Sequence, residues 1–295
     1  MEVTGTTPLW VAARVILYGK GEDFFRLKEK VLETFDPEDI HDLRVASRRL
    51  REGLDLFAPC YPSESVTRFL RKVKRVTRYL GEMRNTDEAL LFFSSLADEL
   101  DDYRGEVQGL ALAYAKQREK GLKGFKAGLK ARVPPSLRDA CLRVINSPQL
   151  FAPPVDGVDL LAPVSSFAKD AMTSRLAEVL KLVPEARRAG AVEAQHLLRI
   201  AVKHFRYRLE TLSFLFGADF RVMHATLKGY QDVLGKMHDI DVFAGIVRDA
   251  ALPADAERLV LAKIAVKREQ LFDHFSGMLE TASFEEIGAR ARSAW

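Results

Sequence analysis

Two cysteines in 295 residues, Cys60 and Cys141, are too few for a disulfide framework and lack zinc-ligand spacing. They read as small buried hydrophobes in a reduced compartment, and no metal site follows from them. Long apolar runs are missing too: nowhere do about 18 uncharged apolar residues stand together, which argues against a membrane-spanning helix. The start carries Glu2 and no basic stretch, and the apolar segment from Leu9 to Tyr18 is broken by Arg14, so a signal peptide is not expected and a cytosolic location is. β-type alternation is absent throughout. So are a Gly-rich phosphate loop of the P-loop type and a Gly-x-Ser-x-Gly elbow, which removes two common enzyme classes. What remains is 47% hydrophobic and 29% charged, a globular composition able to bury one large core or two ordinary ones.

The net charge of +4 is modest but concentrated, with ten Lys/Arg against four Asp/Glu between residues 41 and 80. Concentrated positive charge is what binds polyanions. At about 100° per residue, His41, Arg44, Arg48 and Arg51 span only about 80° of a helix circumference. Leu43, Ala46, Leu50, Leu54 and Phe57 gather on the opposite side, so one face can enter a core while the other presents three guanidiniums and an imidazole. The pattern returns downstream: His196, Arg199, Lys203 and Arg206 repeat the basic face, and Leu198, Ala201, Phe205, Leu209 and Leu212 the apolar one.

Taken in order, residues 8 to 35 read as two helical runs with a break at Gly19 to Gly21, and Asp36-Pro37-Glu38 caps the helix that carries the first basic face. Ser63 is the expected N-cap of the next helix, whose basic side holds Arg68, Arg71, Lys72, Arg75 and Arg78 and which Gly81 interrupts. From about 105 to 132 a long helix carries a Lys stripe that begins with Lys116, Lys120 and Lys123 and runs on to Lys130. Gly121, Gly124 and Gly128 on its flank, each costing roughly 1 kcal/mol relative to alanine, point to close packing of a neighbour. Six prolines between 134 and 163, including Pro153-Pro154, mark the connection between halves and put a boundary at 152/153.

The second half mirrors the first. Pro8 pairs with Pro163, Arg14 with Lys169 and His41 with His196 at an offset of 155; Lys74 pairs with Lys228, Leu80-Gly81 with Leu234-Gly235 and Asp87 with Asp241 at 154. This is a duplicated all-α unit, residues 1–152 and 153–295, supplying amphipathic helices for helical bundles.

The same residues admit rival readings. A basic helical face is most often simply solvated, and for the Lys116 stripe that reading is as good as a binding one. His204, His224 and His274 are weak signals singly. His238-Asp239-x-Asp241 could hold a metal, yet its counterpart Arg84-Asn85-x-Asp87 could not, so helix-terminal packing is expected there. His41-Asp42 suggests a metal-dependent phosphohydrolase, but that chemistry needs further converging ligands, and the second copy has Leu197 in place of the acid. Catalysis is therefore not expected. RNA binding is the other alternative; base recognition usually adds aromatic platforms, and only Tyr79 and Tyr207 lie near the arginines.

The motif His-x-x-Arg-Val-x-x-Arg-Arg-Leu-Arg at 41 to 51, its copy His-x-x-Arg-Ile-x-x-Lys-x-x-Arg-Tyr at 196 to 207 and the two Leu-Gly pairs resemble the CHAD (conserved histidine α-helical domain) family. The resemblance implies two pseudo-symmetric four-helix bundles whose basic faces line a groove or pore for inorganic polyphosphate, in a cytoplasmic protein that can associate with polyphosphate granules, with no cofactor and no metal. The implied site residues are His41, Arg44, Arg48, Arg49 and Arg51 with His196, Arg199, Lys203 and Arg206. Arg71, Lys72, Lys74, Arg75 and Arg78 join them from the helix after the first motif, His224 and Lys228 from the helix after the second, and Lys116, Lys120 and Lys123 from the Lys-rich helix. The family's Leu-Gly-x-x-Arg-Asp stands here as Leu80-Gly81-Glu82-Met83-Arg84-Asn85 and Leu234-Gly235-Lys236-Met237-His238-Asp239. Gln231 and Asp232 replace Thr77 and Arg78, so the first half is expected to contribute more charge.

Overall fold

In the computed structural model, described over residues 2–151 and 157–293, every regular element is an α-helix or a 3-10 turn apart from one isolated antiparallel bridge. The chain packs as two units, residues 1–167 and 168–295. The first holds α1 (Leu9–Thr34), α2 (Pro37–Leu56), a 3-10 turn (Ala58–Cys60), α3 (Ser63–Asp98), α4 (Arg104–Arg132) and α5 (Pro135–Ile145). Then follow α6 (Val164–Ala186), inside which the division falls, α7 (Val192–Thr211), a 3-10 turn (Ser213–Leu215), α8 (Asp219–Asp249), α9 (Ala254–Thr281) and α10 (Phe284–Ser293). The order long, medium, 3-10, longest, long, short is thus written twice. The expected boundary at 152/153 and Pro153-Pro154 lie outside the described residues, and residues 157–167 pack with the first unit.

In the first unit α1 packs on α2, α2 on α3, α3 on α4, and α5 on both α1 and α3. Phe24, Phe57, Phe93 and Phe125 are fully buried there. In the second, α8 packs against α7, α9 and α10 around Phe205, Tyr230, Phe275 and Phe284, with the Tyr230 and Phe284 rings stacked at 4.3 Å. Burying each such ring removes about 1.5–3 kcal/mol of apolar exposure, more than a misplaced glycine costs.

That comparison explains where the structure departs from the glycine-based expectations. The break at Gly19 to Gly21 does not exist: α1 runs straight through, pinned by buried Leu17, Phe24 and Phe25. Gly21 lies so close to α5 that an added Cβ would sit 3.2 Å from Cys141 Sγ. Gly81 does not interrupt α3 either, and Gly235 is equally interior to α8. Ser63 is the first helical residue rather than the cap, which is Pro62. Close packing of the α4 glycines holds at Gly121, against Met83, and at Gly128, against Tyr79, but Gly124 faces open space. The first part of the expected 134–163 connection is the helix α5 (Pro135–Ile145), with Leu137, Cys141, Val144 and Ile145 buried.

The two basic-face helices start differently. Asp36 caps α2, accepting from Glu38 N at 2.8 Å, with Pro37 in the first turn. Buried Asp39 then accepts from Lys30 Nζ and the Thr34 hydroxyl, both at 2.6 Å, which fastens α2 to the end of α1 and holds the Asp39 carboxyl below its usual range, the Lys30 bond being the larger cause. α7 has no side-chain cap. Instead buried Gln195 donates to the Arg188 carbonyl at 2.8 Å and the Ala186 carbonyl at 3.3 Å, satisfying acceptors around the end of α6.

Candidate polyanion site

On α2 the apolar side chains Leu43, Ala46, Leu50 and Leu54 are buried as the pattern demands, which turns His41, Arg44, Arg48 and Arg51 toward the opposite side, all half-buried rather than free in solvent. Ser47 and Thr77 join α2 to α3 through hydroxyls 3.0 Å apart. One turn farther along α3, Gly81 lies beneath Arg44: a Cβ there would be 3.7 Å from Arg44 Nε and 3.9 Å from Nη2. The second unit repeats this contact, with Gly235 of α8 beneath Arg199 of α7 and 3.8 Å from its Nε to an added Cβ. The Leu-Gly pairs are therefore smooth patches inside helices, each seating the guanidinium of the facing motif.

Three residues after each glycine comes the partner of the motif histidine, which the sequence reading left out of the site. In the first unit it is Arg84, which lowers the His41 pKa after the larger effect of burial, with a smaller push from Arg44. Arg84 is itself paired with Glu88 at 2.8 Å. In the second unit it is His238, whose Nδ1 lies 3.1 Å from Nδ1 of His196, so one ring must donate and the other accept. Burial first, then Arg199 and His196, push His238 down to about 4 against the opposing pull of Asp241. The signal was available: position 84 or 238 is about 300° around the helix from the glycine, hence on nearly the same face.

The next acids have a plain structural task. Asp87 of α3 takes Arg118 of α4 at 2.6 Å, and its counterpart Asp241 of α8 takes Arg268 of α9 at 2.9 Å. Arg268 also donates to Gln195, so α7, α8 and α9 are tied together beside His196. The His238-Asp239-x-Asp241 segment lies in the middle of α8, not at a terminus as expected. Among the described residues no three His, Cys, Asp or Glu side chains converge as metal ligands would.

The remaining candidates fall into three groups. Lys74 and Arg78 are exposed on α3 about 60° and 100° from Thr77, on the side nearer α2, and Arg71 follows at about 120°. Lys72 and Arg75 lie about 140° and 160° around the helix from Thr77 and do not belong to the α2 face; they line clefts with α4 and α5. Lys116, Lys120 and Lys123 are exposed on the side of α4 opposite buried Phe125, Lys123 pairing with Glu119 at 3.1 Å. Arg49 is exposed on α2. In the second unit Lys203 is half-buried and Lys228 exposed, while buried Arg206 and half-buried His224 both approach one carboxylate, Glu210, at 3.5 and 2.9 Å. Arg51, the counterpart of Arg206, has its pKa lowered by burial and then by Arg48, against the opposing pull of Glu52 and Asp55.

Each unit thus carries an imidazole-and-guanidinium face with its arginine seated on a glycine of the next helix. The CHAD domain family model matches residues 21–248. The chain belongs to the CHAD family. A crystal structure of the CHAD domain from the plant Ricinus communis is similar over 95% of this chain and 94% of that one, at 23% identity and a TM-score of 0.66. PptA from Streptomyces chartreusis is similar over 94% and 99%, at 15% identity and a TM-score of 0.68. At these identities the likeness establishes the fold. No curated protein matches this CHAD sequence. Among its described residues no helix is long and apolar enough to cross a membrane.

Proposed function

We propose that this CHAD protein binds long-chain inorganic polyphosphate without turning it over, through the His-Arg faces of α2 and α7. The observation that carries the reading is the duplicated seat: Arg44 on Gly81 and Arg199 on Gly235, each beside a motif histidine. In both units the guanidinium lies against the helix backbone with no large side chain beneath it. Packing of the arginine stem removes rotamer freedom before the ligand arrives, and the guanidinium fork then offers paired donors to phosphate oxygens. Burial and then Arg84 disfavour the charged form of His41, which an arriving phosphate would favour. In the same reading each half is a four-helix bundle with a short fifth helix added, and the first half carries more of the binding because Arg78 of α3 is matched by Asp232 of α8.

Calorimetric titration with long-chain polyphosphate, single-stranded RNA and pyrophosphate at one fixed salt concentration tests this. Long-chain polyphosphate is expected to bind tightest per phosphate. Preference for RNA at equal phosphate concentration would move the assignment to nucleic-acid binding.

A further inference from the structure

We propose that a second anion site, for a short inorganic oligophosphate, lies in the cleft where α3 meets the end of α4 and the start of α5. A cavity of about 240 Å³ there is walled by Lys72 and Arg75 of α3, Arg132 of α4 and Ser136 of α5, with no carboxylate in its lining. Beside it a second hollow, about 280 Å³, shares Lys72 and adds Arg143 and Arg68. Both volumes fall just under the range of about 300–1,000 Å³ usual for drug-sized ligands, which suits a small polyanion.

Basic residues along a helix usually mean only a solvated face, and three observations separate this cleft from one. The charges line a concavity. Neither Lys72 nor Arg75 has an ion-pair partner among the described residues, whereas Arg68 pairs with Glu64. Arg132 is held in place: its guanidinium stacks 4.0 Å over the Tyr79 ring and donates to the Gly128 carbonyl at 3.0 Å, while the Tyr79 hydroxyl donates to the Phe125 carbonyl at 3.1 Å. A fixed cation loses little freedom when an anion binds. The cleft is also outside the duplicated machinery, because at the offset of 154 its α3 residues Lys72 and Arg75 become Thr226 and Gly229. Three cations facing one small hollow fit a ligand with several negative charges close together, such as tripolyphosphate, better than a single carboxylate.

Tripolyphosphate titrated calorimetrically into the intact protein is the probe. Replacing Lys72→Gln and Arg75→Gln, both exposed on a helix surface, is expected to weaken it at least about tenfold. Arg132→Lys, which keeps the charge and loses the stacked fork, is expected to weaken it less. Arg44→Glu with Arg48→Glu is expected to leave tripolyphosphate within about threefold of the parent while long-chain binding collapses. Absence of saturable tripolyphosphate binding, parental affinity in the Lys72/Arg75 variant, or an equal loss in the Arg44/Arg48 variant would each overturn the separate site. Loss of long-chain binding has no bearing on it, so the two readings fail independently.

Discussion

Arg44 rests over Gly81 with no side chain between guanidinium and helix backbone, 3.7 Å from where a Cβ would stand. That spacing is ordinary van der Waals contact, so Gly81→Ala is tolerated and should stabilise α3 by up to about 1 kcal/mol. Gly81→Leu would push the guanidinium off its seat. Long-chain polyphosphate affinity should be unchanged in the alanine variant and reduced several-fold in the leucine variant, with helix content intact by circular dichroism; equal binding by both would show that the seat is irrelevant.

Acid should loosen the native protein in a defined window. An unfolded imidazole takes a proton near pH 6.5, but His238 in the native second unit resists until about pH 4, and His41 is lowered in the same direction. Between those values the unfolded chain holds protons that the native chain does not, so stability is full above about 6.5 and lost as pH falls toward 4. Thermal melts at pH 7.5 and 5.0 should show the drop. Polyphosphate, by favouring the charged rings, should narrow it and should bind with proton uptake.

Charge reversal at Arg44 and Arg48 removes two contacts and adds repulsion, a change of roughly 2–3 kcal/mol or about 30- to 150-fold at low salt. Arg199→Glu with Lys203→Glu should cost less, since Arg78 near the first unit's face is matched by the acid Asp232 in the second. Added salt should weaken the parent steeply and either variant less steeply, because each phosphate contact contributes to the slope of log affinity against log salt. A salt-insensitive parent would count against an ionic site.

Asp42 is exposed and sits about 100° around α2 from His41. Asp42→Asn should leave polyphosphate affinity nearly unchanged. Neither protein should release phosphate from polyphosphate or nucleotides with manganese or cobalt; steady release abolished by the substitution would make the protein a phosphohydrolase.

The ion pairs of Asp87 with Arg118 and of Asp241 with Arg268 are partly sheltered and join neighbouring helices. Asp87→Asn or Asp241→Asn should destabilise by about 1–2 kcal/mol in denaturant titrations, between the values for exposed and buried pairs. Affinity per folded molecule should not change.

The helices and their basic faces were legible because burial and charge share the 3.6-residue period at His41 to Phe57 and His196 to Leu212. The glycines misled where they were read as local punctuation. At Gly81 and Gly235 the neighbour is a guanidinium on another helix, with room for a methyl group but not for a large side chain, and at Gly21 it is a sulfur on α5; neither distance is written in local sequence. Arg84 and His238 were visible as motif letters but not as partners of His41 and His196, since that pairing needs the register of α2 on α3 and of α7 on α8. The contact of His224 with Glu210 was hidden for the same reason, whereas Arg206 and Glu210 stand four residues apart on one helix.

The first unit has one more property, which follows from its antiparallel bridge. Pro8 faces Pro163, Leu9 N donates to the Ala162 carbonyl at 2.9 Å and Val164 N to the Thr7 carbonyl at 2.9 Å. The strand of chain that enters this unit is thus stitched to the one that leaves it. Such a ring of polypeptide, closed by hydrogen bonds at a single seam, is topologically suited to circular permutation: a short linker across the seam and new termini in an exposed turn would preserve its packing. A fragment cut at residue 152 would instead leave Thr7 and Leu9 with their backbone groups unanswered.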